Sequence, residues 1–77
     1  MVVAGILINA APGKVKSVLE AVRKIEGVTR AYAVFGRYDI IAMADVKDLD
    51  NAAAMVVRKI CKVEGVARTE TLIAANI

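Results

Sequence analysis

The sequence contains no histidine, one cysteine and one proline, and aromatic residues make up only 4% of it. Without histidine, no side chain offers the usual general base near neutral pH. Cys61 is alone, so it cannot close an intramolecular disulfide, and it has no imidazole to activate it as a nucleophile. It follows the apolar face of a helical segment and reads as an inert small residue. The five glycines lie too far apart for a phosphate loop or a dinucleotide fingerprint. Carboxylates show no metal-ligand spacing; Asp48 and Asp50 stand at a helix start, where capping explains them. No cofactor and no metal are expected, and an enzyme is not the first reading. The first apolar run has no charged region before it and is too short to span a bilayer. A cytoplasmic protein without a membrane partner is expected. An excess of one charge is also missing. There are 11 basic and 8 acidic residues, net +3, interleaved from Lys14 to Arg68. No basic stripe tracks a phosphate backbone, so direct DNA binding is not expected.

What the chain has in plenty is small and branched aliphatic residues. Hydrophobic residues make up 58% of it, above the roughly 45–50% of an average domain. With 77 residues the chain forms one domain, residues 1–77. A domain that small buries only about 60% of its unfolded surface and gains from burial against a partner.

The pattern predicts six elements. Val2 to Asn9 is a short, β-branched, apolar run and reads as a buried strand. Pro12 and Gly13 break it. From Lys14 to Glu26, Val15, Val18, Leu19, Val22 and Ile25 share one helical face, with Glu20 and Lys24 paired on the other. Gly27 stands where a helix end favours positive φ. Val28 to Phe35 and Tyr38 to Val46 read as two strands joined by a two-residue turn at Gly36-Arg37. Asp48 caps a helix from Leu49 to about Lys62, its buried face formed by Leu49, Ala52, Ala53, Val56, Val57 and Ile60, with Ala54 and Met55 widening the apolar sector. Val66 to Ala75 is the last strand.

The order is β-α-β-β-α-β. The segment VRKI, followed by EGV-x-R, occurs at Val22 to Arg30 and again, three residues longer, at Val57 to Arg68. A duplicated β-α-β half is what a ferredoxin-like α+β fold requires, with a four-stranded antiparallel sheet and both helices on one face. The opposite face would be polar in a monomer. Here Val2 to Ile8 is apolar on both sides, and Ile40/Ile41, Ala42/Met43 and Leu72/Ile73 each send one apolar side chain to the helix-free face. Two sheets packed across a two-fold axis would cover that surface.

The stretch Phe35-Gly36-Arg37-Tyr38-Asp39 places a glycine, an aromatic ring and a carboxylate at the hairpin tip. Gly36 permits a turn and a close approach. Asp39 has two readings. It accepts hydrogen bonds from a ligand ammonium, or it bonds backbone amides of the turn itself. The run AVFGRYDIIAMADVKD, Ala33 to Asp48, resembles the G-x-[YF]-D hairpin of the Lrp/AsnC family of feast/famine regulators. VEGVARTETLIA, Val63 to Ala74, resembles that family's last strand, G-V-x-x-[ST]-x-T. With the first strand and its Pro-Gly-led helix, the resemblance covers nearly the whole chain.

The resemblance is to the family's RAM (regulation of amino acid metabolism) domain. It implies a dimeric α/β-barrel type assembly through the sheets, often four dimers in a ring-like octamer, and a small amino acid bound between dimers. Gly36, Tyr38 and Asp39 are the matching loop residues, and Thr69 and Thr71 match the last-strand pattern. Arg37 occupies a variable position; its charge suits a ligand carboxylate by chemistry alone. Family regulators carry an N-terminal helix-turn-helix, whereas Met1 here leads at once into the first strand. The expectation is an effector-binding module without a helix-turn-helix domain, acting as a sensor or by co-assembly with full-length Lrp/AsnC regulators. Two alternatives share the fold: a small monooxygenase-like dimeric α/β-barrel enzyme, and an oligomerisation module with no ligand.

Overall fold

The computed structural model describes residues 1–75. The strands are β1 (Val2–Ala10), β2 (Val28–Ala33), β3 (Ile40–Val46) and β4 (Val66–Ile73); the helices are α1 (Val15–Arg23) and α2 (Leu49–Met55), the latter continued by a π-helical segment, Val56–Ile60. The sheet order is β2-β3-β1-β4 with every neighbouring pair antiparallel. This is the ferredoxin-like β-α-β-β-α-β arrangement.

Alternation along the strands divides the sheet into two faces. Ala4, Ile6 and Ile8 of β1, Ala31 of β2, and Ile40, Ala42, Ala44 and Val46 of β3 are buried beneath the helices. Val18 and Val22 of α1 complete that core together with Ala52, Met55 and Ile60. Fully burying each of the larger side chains contributes roughly 1.5–3 kcal/mol.

The internal repeat is visible in backbone geometry. Gly27 and Gly65 have φ of 98° and 100°. Before each, the chain turns with the same bonds: Ile25 donates to Val22 and Val28 to Ile25, while Val63 donates to Ile60 and Val66 to Val63. Each turn converts a helix end into a strand start.

Three expectations need correction. The helix after Asp48 is capped as foreseen, with the carboxylate accepting from the Asn51 amide at 2.8 Å, but it changes to π geometry at Val56, and the Cys61 amide reaches the Val56 carbonyl at 2.9 Å. The inward residues are consequently Ala52, Met55 and Ile60, spaced three and then five apart. An uninterrupted α-helix would bring Lys59 inward instead. Leu49, Ala53 and Val57, expected in the core, are exposed, and Met55 takes their place. The reason is a contact with a residue distant in sequence. A Cβ at Gly27 would lie 2.5 Å from Met55 Cε, so the bare glycine backbone makes room for the thioether.

The β2–β3 connection is also wider than a two-residue turn. Val34 donates to the Asp39 carbonyl at 2.9 Å, enclosing residues 35–38. Finally, helix α1 closes at Arg23 rather than Glu26, and Arg23 donates to the Ala31 carbonyl through Nε and Nη2 at 3.1 and 2.8 Å.

The helix-free face is apolar in its middle and polar at one end. Val3, Gly5 and Leu7 lie between Ile41 and Met43 of β3 and Leu72 of β4, while register places Glu70 opposite Leu7 and Arg68 opposite Asn9. Leu72 is 51% exposed and Tyr32, near Ile41, is 49% exposed. A shallow groove of about 240 Å³ runs across Val3, Gly5, Ile41, Met43 and Leu72. No helix among the described residues is long and apolar enough to cross a membrane.

Candidate functional site

The β2–β3 loop is tied to the end of β1 by side chains as well as backbone. The last β1–β3 pair is Ile8 with Ile40. The amide of Ala10, two residues beyond that pair, donates to Asp39 Oδ2 at 2.8 Å. The Asp39 amide donates to the Ile8 carbonyl at 2.9 Å. Asn9 Nδ2 donates to the Arg37 carbonyl at 2.8 Å. Asp39 thus extends the β1–β3 ladder with a side-chain acceptor where β3 has not yet begun. Of its two sequence readings, bonding to backbone is the one this geometry contains.

Tyr38 reaches further across the sheet, past β1 to β4. Its hydroxyl donates to Glu70 Oε1. The Arg68 guanidinium carbon lies 5.8 Å from the centre of its ring, within cation–π range. Arg68 and Glu70 alternate with Thr69 and so project from the helix-free face. The loop therefore carries an aromatic side chain clamped between a cation and an anion. That pairing offers opposite charges to a ligand bearing both an ammonium and a carboxylate. Gly36 stands exposed at the loop tip with φ 136° and nothing within 4 Å of where a Cβ would be.

The other two sequence-predicted residues lie elsewhere. Register puts Thr69 opposite Ile8 and Thr71 opposite Ile6, on the helix-covered face. Thr69 Oγ1 is 3.9 Å from Cys61 Sγ. Thr71 borders an open groove of about 350 Å³ between β4 and α2. Within one chain, then, Gly36, Tyr38 and Asp39 come together, while Thr69 and Thr71 are separated from them by the thickness of the sheet. Sequence reasoning missed Asn9, Arg68 and Glu70. The alternation of Arg68, Thr69 and Glu70 along a strand was the available signal for the last two. No three or more cysteine, aspartate or glutamate side chains cluster as a metal site among the described residues.

Comparison with known proteins places this chain in a family. The Lrp/AsnC ligand binding domain family matches residues 3–77. An uncharacterized HTH-type transcriptional regulator of Pyrococcus horikoshii is 36% identical over 76 residues, covering 99% of this chain and 48% of that protein. A second such regulator, from Pyrococcus abyssi, is 34% identical over the same span, again 48% of its length. The chain spans about half the length of the curated relatives it matches. Among solved structures, TTHA0845 from Thermus thermophilus superposes with a TM-score of 0.95 at 35% identity, covering 100% of this chain and 96% of that one. E. coli AsnC superposes at 0.91 with 26% identity, covering 99% of this chain and 52% of that one. A Neisseria meningitidis transcriptional regulator, solved as a complex with L-Met, shares the fold at TM-score 0.87 and 18% identity, covering 97% of this chain and 50% of that one. This chain belongs to the Lrp/AsnC family, matching it through the ligand-binding domain.

Proposed function

We propose that the chain is an amino-acid-binding regulatory module. The observation that carries this reading is the Gly36–Asp39 loop. It resembles the family's G-x-[YF]-D hairpin at Gly36, Tyr38 and Asp39, and it is held by Ile8, Asn9 and Ala10 while Tyr38 is fixed between Arg68 and Glu70. A loop bound on both sides loses little conformational entropy when it takes a ligand. The Neisseria regulator solved with L-Met supports a small amino acid as the effector class. Gly36, Tyr38 and Asp39 form the ligand-facing loop, with Asp39 fixing its shape, and Thr69 and Thr71 contribute from a neighbouring copy. Residues 1–77 act as one effector-binding and oligomerisation domain. Copies pair through the apolar middle of the helix-free face, and the dimers join into an octamer or a similar ring. Regulation follows if effector binding favours one assembly over another, in homo-oligomers or with full-length Lrp/AsnC regulators.

A monooxygenase-like reading wants polar groups in an enclosed space between sheet and helices. The groove in that position is open and aliphatic, with Thr71 at its border, so the regulatory reading is preferred, in line with a family of transcriptional regulators. The test is calorimetric titration of L-methionine and other amino acids into wild type, Asp39→Ala and Asp39→Asn. Saturable binding by wild type, lost in Asp39→Ala and retained in Asp39→Asn, supports the loop as the site. Asp39→Ala binding every ligand as wild type does removes the site assignment.

A further inference from the structure

A second groove opens at the end of the sheet far from the Gly36–Asp39 loop. There Val46, the last residue of β3, pairs with Val2, about 20 Å along β1 from Ile8. The groove measures about 320 Å³ and is lined by Gly27 and Val46 and, from the second helix, by Asn51, Met55, Arg58 and Lys59. Its volume lies at the lower end of the range of small-molecule sites, about 300–1,000 Å³. Val46 and Met55 are buried and give it an apolar floor, whereas Asn51, Arg58 and Lys59 are exposed and border it with polar groups.

Two backbone features shape this groove. The π turn of Val56–Ile60 sends Ile60 inward and leaves Lys59 beside Arg58 on the lining. Such turns are rare and recur at functional sites. Gly27 presents bare backbone, because a Cβ there would meet Met55 Cε at 2.5 Å. Its carbonyl accepts from the Asp45 amide at 3.1 Å, but its own amide donates to no backbone carbonyl among the described residues.

The lining is therefore rich in donors. Arg58 supplies a planar fork, Lys59 a compact charge, Asn51 a side-chain amide and Gly27 a backbone N–H. Two adjacent cations and several donors match a phosphate group, with its three acceptor oxygens and charge of about −1.5 to −2. Glu26, also on the lining, is the one carboxylate there. It disfavours a bare anion and accepts from a hydroxyl. Cations in a last helical turn also complement the helix carbonyls, but that contact requires neither the groove nor Asn51.

We infer that this groove binds a small hydroxylated phosphate monoester, with the phosphate on Arg58, Lys59 and Asn51 and a hydroxyl donating to Glu26. The site lies apart from the Gly36–Asp39 loop and from the apolar middle of the helix-free face, so it stands whether or not the loop binds an amino acid.

The experiment is equilibrium dialysis of the full chain against labelled glycerol phosphate at constant ionic strength. Wild type is expected to bind it saturably, with competition by inorganic phosphate and none by glycerol or chloride. Arg58→Gln and Lys59→Gln each weaken binding about tenfold, the scale of a charge-assisted hydrogen bond. Glu26→Gln weakens glycerol phosphate and spares inorganic phosphate. Tyr38→Phe, at the far end of the sheet, changes neither. All four positions are exposed, and circular dichroism checks that the variants keep the fold. No saturable binding, equal binding by Arg58→Gln and Lys59→Gln, or competition by chloride as strong as by phosphate would overturn the site and leave the cations as partners of the helix carbonyls. Loss in Tyr38→Phe would place the phosphate at the loop and overturn it too.

Discussion

The Asp39 carboxylate accepts the amide of Ala10 at 2.8 Å, and the Asp39 amide in turn donates to the Ile8 carbonyl at 2.9 Å. One residue thus joins the β2–β3 loop to the central strand from both its side chain and its backbone. Removing the side-chain acceptor leaves the Ala10 amide without it, at a cost of about 1 kcal/mol. Asp39→Ala is therefore expected to lower the melting temperature by about 4–8 °C. Asp39→Asn keeps an acceptor oxygen and should stay within about 2 °C of wild type on the same scale. Thermal unfolding followed by circular dichroism separates the two.

Tyr38 is held differently. Its ring and hydroxyl meet Arg68 and Glu70 at the surface. Tyr38→Phe keeps the ring and loses only the hydroxyl bond. Its stability should change by less than about 0.5 kcal/mol, the usual range of a surface substitution. If the clamp positions the ligand loop, effector affinity falls about tenfold in Tyr38→Phe while unfolding in urea is unchanged. Equal affinity would make the clamp a surface contact only.

Gly27 and Met55 form a steric pair. A methyl group at position 27 meets Met55 Cε at 2.5 Å, and the backbone there has φ 98°. Gly27→Ala carries both a clash and the left-handed backbone cost, together about 1–3 kcal/mol. Met55→Ala in the same chain relieves the clash but not the backbone strain. Urea midpoints for the two singles and the double, taken as a mutant cycle, should therefore couple favourably.

The π-helical segment predicts an unusual tolerance. Ile60 is fully buried five residues after Met55, so Ile60→Ala should cost about 2–5 kcal/mol. Deleting the exposed Arg58 instead leaves Ala52, Met55 and Ile60 at spacings of three and four, which a regular α-helix accommodates. The deletion should cost less than Ile60→Ala. A deletion more damaging than Ile60→Ala would mean that the π turn is required for the fold.

Most of the architecture was legible because it rests on local periodicity. The alternation of Ile6 and Ile8, the helical spacing of Val18 and Val22, and the repeated E-G-V turns each carry their own structural signature, and the two turns proved to share one hydrogen-bond pattern. The second helix was misread because its orientation depends on a residue from elsewhere in the chain. Gly27 admits Met55, and that pairing rotates Leu49 and Val57 outward. The loop was legible as a turn and not as a wide one, since Val34 and Asp39 close it through backbone bonds that no residue type announces. For the site, the family pattern marked Gly36, Tyr38 and Asp39, which cluster. Thr69 and Thr71 match the same pattern from the other side of the sheet. Arg68 and Glu70 were invisible as partners of Tyr38 because strand register across β1 brings them together.

The most direct measurement is thermal unfolding of the wild-type chain with each of the twenty amino acids in turn at millimolar concentration. An effector present at about a hundred times its dissociation constant adds roughly 2.7 kcal/mol to the native state, a rise of about 10 °C or more in a domain of this size. The account predicts such a rise with one or a few amino acids, diminished in Tyr38→Phe. No rise with any of the twenty, in a preparation whose oligomer is intact by sedimentation, would contradict it.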